Sequence, residues 1–199
     1  MKTKVLFQIK KFAKSEYEQS GDSQHDFGHA ERVANNCELI VRALKLDNKV
    51  NGRLLTAASY LHDVVSARKI MKNYLLNHIF EKNLNRKFLS KILDNFDLTS
   101  AEKQVLKNSI VNHPYSIPYR ISNKHNDLYS KILQDADSLD YVSPIREKSF
   151  LYKSGRLMQK LTTVYMTYIR KNLKSYLNFP EILSKLELDG LTAGHVNKT

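Results

Sequence analysis

Apolar residues three and four positions apart recur along almost the whole chain, and no stretch shows the period-two alternation of a half-buried strand. Val5, Leu6, Ile9, Phe12 and Ala13 form one such stripe, with lysines on the opposite face. Ala30, Val33, Ala34, Cys37, Ile40, Val41 and Leu44 form another. Only six glycines and four prolines interrupt 199 residues, so turns are few and helices can be long. The pattern predicts an all-α fold. Helices are expected over about residues 3–18, 28–44, 50–63, 67–83, 86–95 and 127–139, and through most of 144–188. Another opens at Thr99, three residues before Glu102, in the spacing of a capping box. "SGDSQHDFG" and "HPYSIPYRISNKHND" read as loops, and "TAGHVNKT" as a loose tail.

The length suits one domain over residues 1–199, and no repeat or Pro/Gly-rich linker divides it. The single cysteine, Cys37, rules out an intramolecular disulfide and lies on an apolar helix face, as a buried thiol would. The basic start lacks the apolar run of a signal peptide, and no segment reaches the length of a membrane span. A cytoplasmic protein without a membrane partner is expected. The formal net charge of +12 fits two readings. It is either a compositional background, since the lysines are scattered, or a field that attracts anions.

Metal-type ligands concentrate in four places. "HDFGHAERV" supplies His25, Asp26 and His29, and "LHD" supplies His62 and Asp63. "VNHPY" supplies His113, and "QDADSLD" supplies Asp135, Asp137 and Asp140. Each group lies on or beside an apolar helix, as a bundle requires if it is to point ligands inward at one ion. Imidazoles and carboxylates together suit Mn, Fe, Co, Ni or Zn, and with fewer imidazoles Mg. Arg32 follows His29 by three residues on the same helical face, where its fork could grip a phosphate oxygen. Taken singly, His29 reads more readily as a core histidine, and His62–Asp63 as a hydrogen-bonded helix end. Their order and context favour a metal site.

The order His29, His62–Asp63, Asp137 resembles the HD-domain metal-dependent phosphohydrolases. "HDFGHAERV", "AASYLHDVV", "SIVNHPYS" and "KILQDADSLDYVSPI" are similar to successive motifs of one branch, over roughly residues 25–180. The resemblance implies a helical bundle of the HD type. It also implies a divalent ion held by His29, His62, Asp63 and Asp137, with Asp63 orienting the attacking water. Asp140 and His25 would support the ligands from behind, and His113 would meet the substrate phosphate or support a ligand. Arg32, Arg68 and Lys69 would offset phosphate charge. Two segments depart from the branch. "SARKIMKNY" is basic where relatives are often acidic, and "SPIREKSFLYKSGR" replaces a small, Gly-rich stretch.

The expected activity is hydrolysis of a phosphomonoester or phosphoanhydride in a nucleotide-like substrate by metal-activated water. One rival keeps the ligands and cleaves a phosphodiester or an alarmone diphosphate. Another is a non-catalytic protein of the same fold that binds a nucleotide or, less favoured, nucleic acid. His78, His125 and His195 match no motif and read as surface residues.

Overall fold

Among the described residues every element is helical, and several helices begin at a short polar side chain that caps them. The computed structural model describes residues 1–20, 26–68, 70, 80–114, 127–151 and 155–188. Only the ends of the expected loops at 20–28 and 113–127 are described, and Phe27 and Gly28 are already helical; the expected tail and most of the helix expected at 67–83 lie outside the described residues.

Helix α1 (Thr3–Ser20) buries Val5, Ile9, Ala13 and Tyr17, one per turn. Helix α2 (Phe27–Ala43) is capped by Asp26, whose carboxylate accepts the His29 N–H at 2.6 Å. It buries His29, Ala30, Val33, Ala34, Cys37, Ile40 and Val41. Helix α3 (Gly52–Leu61) is capped by the Asn51 side chain. A single turn, α4 (Val64–Ala67), follows after a break at His62 and Asp63. Helix α5 (Glu81–Leu93) leads to α6 (Ser100–Asn112), where Thr99 and Glu102 close the expected capping box. Helix α7 (Leu128–Tyr141) starts at an Asp127 cap. Then come α8 (Pro144–Leu151), α9 (Arg156–Lys171), α10 (Leu173–Tyr176) and α11 (Ile182–Leu188).

Two boundaries differ from expectation, and both matter for the site. The third helix does not continue to residue 63. Asp63 takes φ −104° and ψ 2°, the bridge region, which turns the chain before α4. The helix expected from about 86 starts at Glu81 and takes in residues expected to end the preceding one, which puts Glu81 and Asn85 on one buried face.

Helix α2 is the spine. It packs against α3 on one side and α7 on the other, while α1 crosses α3 and α6 touches α3, α5 and α7. Cys37, 1% exposed, sits inside this packing with its sulfur 3.4 Å from the Ser59 hydroxyl. Burial pushes its thiol up to about 12, so it is inert. No helix among the described residues is long and apolar enough to cross a membrane.

The C-terminal segment is tied to α7 by one carboxylate. Asp135, fully buried, accepts the Asn178 backbone N–H at 2.7 Å, the Asn178 side-chain amide at 2.9 Å and the Phe179 N–H at 2.8 Å. Asp135→Ala strands two backbone donors, while the Asn178 amide keeps the Lys131 carbonyl and Gln134 Oε1. It is expected to lower the unfolding free energy by about 3 kcal/mol, read from the midpoint of urea denaturation.

Candidate metal centre

The polar residues of the core gather where α2, the α3–α4 break, the end of α6 and α7 meet. His29, His62, Asp63, His113 and Asp140 are all buried, and Asp137 is half-buried. His29 Nε2 lies 3.1 Å from His62 Nε2, 3.4 Å from Asp63 Oδ2 and 3.4 Å from Asp137 Oδ1. His62 Nε2 lies 3.2 Å from the same Asp63 oxygen. On the other side of Asp63, His113 Nε2 lies 3.6 Å from Oδ1.

The second ring nitrogens set the tautomers. His29 Nδ1 lies 2.6 Å from Asp140 Oδ2, His62 Nδ1 2.7 Å from the Ser59 carbonyl and His113 Nδ1 2.7 Å from the Ile110 carbonyl. These partners only accept, so each Nδ1 carries the proton and donates it. Each ring then turns its Nε2 toward Asp63. Two such nitrogens 3.1 Å apart beside carboxylates call for a positive charge between them, a proton or a metal ion. Burial works against charging His62, but the Asp63 and Asp137 carboxylates and the Ser59 carbonyl outweigh it and lift the ring to about 9.

This donor set fits a divalent ion. Ligand atoms about 2.1 Å from one ion, at octahedral to tetrahedral angles, stand about 3.0–3.4 Å apart. His29, His62 and Asp63 offer ligand atoms within 4.8 Å of one another, with spacings of 3.1 to 3.4 Å, and Asp137 comes within 3.4 Å of His29 Nε2. Donation of Nδ1 to a carboxylate or carbonyl is also the usual support behind a metal-bound imidazole.

Asp140 holds two groups at once. Besides His29, it takes Arg32 in a fork, with Nε at 2.5 Å and Nη2 at 3.3 Å. Burial opposes its ionisation, but the hydrogen bonds from His29 and Arg32 hold the carboxyl at about 2. One edge of Arg32 is therefore committed to Asp140. Arg68 turns the other way and forms a fork with Glu16 on α1 at 2.6 and 2.8 Å. His25 and Lys69 lie outside the described residues, as do His78, His125 and His195.

Three residues near the cluster have no motif to announce them. Glu81, buried at the start of α5, places Oε1 3.8 Å from His113 Nε2. Asn85, one turn along, is fully buried. Their signal was faint: polar residues at i and i+4 on a face that also buries Leu84, Leu89 and Ile92. Tyr17, the last member of the α1 stripe, brings its phenol near Asp63. Burial, then the Asp63 carboxylate, raise its pKa well above normal, so it stays a neutral hydroxyl.

The sequence model of the HD domain matches residues 26–142, more than half of the chain. A solved protein from Lactobacillus plantarum is similar over 79% of this chain and 66% of its own, at 23% identity and a TM-score of 0.57. This chain thus spans just under two thirds of that protein's length. A predicted HD superfamily hydrolase from an uncultured Thermotogales bacterium is similar over 85% of this chain and 89% of its own, at 18% identity and a TM-score of 0.53. At these identities the likeness concerns the fold. No curated protein matches the chain.

Asp140 gives the centre an acid limit. Its carboxyl is lowered on folding from 3.8 to about 2, so its contribution is fully present above pH 3.8 and is lost as pH falls through 2. The metal-free chain is expected to lose about 2 kcal/mol of unfolding free energy between about pH 4 and pH 2 from this group. Urea titrations across that range, with Asp140→Asn lacking this part of the slope, check it.

Proposed function

Because this chain belongs to the HD-domain family, we propose that it is a metal-dependent phosphohydrolase that cleaves a phosphomonoester or phosphoanhydride of a nucleotide-like substrate in the cytoplasm. The observation that carries the reading is the convergence of the Nε2 atoms of His29, His62 and His113 on the Asp63 carboxylate. Buried imidazoles with fixed tautomers around one carboxylate are costly for stability alone, and they are what a divalent ion needs.

His29, His62, Asp63 and Asp137 would hold the ion. A divalent cation bound there supplies Lewis-acid charge for the phosphoryl group and lowers the pKa of water. The chain does the rest. The Asp63 carboxylate accepts a hydrogen bond from the attacking water and orients it. Asp140 fixes the His29 ring through Nδ1 and keeps the Arg32 guanidinium at the rim, with its side chain 27% exposed. From there its outer N–H groups reach a phosphate oxygen. Gly28 leaves room for this, since a Cβ at that position would lie 3.3 Å from Arg32 Nη1. Arg68 contributes from further out, and the net charge of +12 raises the local concentration of anions.

Replacing Asp63 with Ala removes a ligand and the group that orients water. The variant is expected to lose phosphate release by about 1,000-fold or more across a panel of nucleotides assayed with Mn, Mg, Co and Ni. Activity retained in Asp63→Ala would sink the reading. Release of phosphate or of pyrophosphate identifies the bond cleaved. Steeply salt-dependent binding of arbitrary RNA or DNA with no turnover would favour a binding protein instead.

A further inference from the structure

We propose that Arg146, with the Tyr141 and Phe150 rings beside it, binds a second phosphate of the substrate, apart from the phosphate at the metal centre. The inference rests on the phosphohydrolase reading above and narrows its substrates to those that carry two phosphates.

Arg146 lies in the first turn of α8, where its backbone N–H donates to the Ser143 hydroxyl at 3.2 Å. The residue is only 6% exposed. A guanidinium keeps its charge in a protein and offers several N–H donors in a planar fork. Inside a fold such a group is held by a carboxylate or by carbonyls, because an unpaired buried charge is strongly unfavourable. Among the described residues the Arg146 head has neither. Its Nε is shut off from water without a hydrogen-bond partner, while the outer nitrogens of the fork are not shut off. The guanidinium stands over the Phe150 ring, with its carbon 5.3 Å from the centroid. A ring face attracts a cation but leaves the fork of N–H groups unmatched.

The carboxylates nearest in the chain are engaged elsewhere. Glu147, the next residue, pairs with Arg170 at 2.6 Å, and Arg170 Nε also donates to the Val142 carbonyl at 3.0 Å. Asp140 is held by His29 and Arg32.

The rings lead from Arg146 back to the centre. Phe150 lies one turn past Arg146 on α8, and its ring stands 5.3 Å from the Tyr141 ring. Tyr141 follows Asp137 by four residues, on the same face of α7. Asp137 in turn faces His29. The uncompensated positive charge therefore sits at the far end of a short path of side chains that begins at a residue assigned to the ion. A phosphate at the centre has Arg32. A second phosphate would bring Arg146 the paired oxygen acceptors that its fork matches. Arg146 and Phe150 both fall in "SPIREKSFLYKSGR", the segment that departs from the branch, so this grip is particular to this chain.

Arg146→Met keeps the stem and removes the charge, and Arg146→Lys keeps a charge without the fork. Binding to the full chain is measured by isothermal titration calorimetry in Mg, with nucleoside bisphosphates and methylene diphosphates against the matching monophosphates. Wild type is expected to bind one of the two-phosphate series about tenfold or more tighter than its monophosphates. Arg146→Met is expected to lose that preference, and Arg146→Lys to keep part of it. In the ligand-free chain Arg146→Met is expected to unfold at a urea midpoint equal to or above that of wild type, because it removes an unpaired buried charge. Equal affinity of wild type for one and two phosphates would overturn the subsite, and so would a preference that survives in Arg146→Met. A lowered midpoint would overturn it too, since the guanidinium would then serve the fold. The wild-type comparison needs no variant, so a variant that fails to fold does not protect the idea. A chain that shows the preference yet releases phosphate from no nucleotide would instead overturn the hydrolase reading and leave the subsite to a binding protein.

Discussion

Three imidazoles are held by their Nδ1 protons, and the architecture of the centre follows from how those protons are held. His62 gives its proton to the carbonyl of Ser59, and His113 gives its proton to the carbonyl of Ile110. Both partners lie three residues back, in the last turn of a helix. Such carbonyls have no intrahelical donor, and the ring supplies one. The same contact caps the helix, fixes the tautomer and aims the lone pair. It also brings the negative ends of two helix dipoles, those of α3 and α6, to the place where a cation would sit. His29 works from the opposite kind of end. It lies in the first turn of α2, with its backbone N–H on the Asp26 cap and its ring on Asp140.

Much of this was legible in the sequence, because it depends on local rules. Apolar spacing gave the helices, and Thr99 with Glu102 gave one boundary to the residue. The order and context of His29, His62–Asp63 and Asp137, with the resemblance they carry, pointed to the cluster. The three aspartates of "QDADSLD" show how far such geometry reaches. Asp135 and Asp137 are two residues apart on α7 and so point about 200° apart. One anchors the Asn178–Phe179 turn, while the other faces His29. Asp137 and Asp140 share a face, so Asp140 can stand behind the ring that Asp137 approaches. This division of labour follows from 100° per residue once the sequence commits to a helix.

What the sequence withheld were partners chosen in three dimensions. Glu81 sits in a stretch with no motif, and its place in the helix that buries Leu84, Leu89 and Ile92 turns it inward. Arg32 and Arg68 both looked like phosphate grips. Yet a long side chain with a planar fork pairs with whatever carboxylate the fold brings near. For Arg32 that is Asp140, 108 residues away, and for Arg68 it is Glu16, 52 residues away. Spacing along a chain cannot reveal such pairings. They arise from the packing of α2 on α7, and of the α4 turn on α1.

The charge of the centre then constrains the chemistry. Asp63, Glu81, Asp137 and Asp140 bring four formal negative charges to the cluster, and Arg32 brings one positive charge. Without an ion the pocket is therefore negative, at −2 with the His62 ring charged, although the whole chain is +12. The outer field draws an anion in, and the bare pocket would turn it away. A divalent ion that took the place of the His62 proton would leave the pocket at −1, with Arg32 at its rim for the phosphate. A basic surface around an acidic centre therefore divides the work: the surface gathers anions, and a cation in the pocket would let one approach.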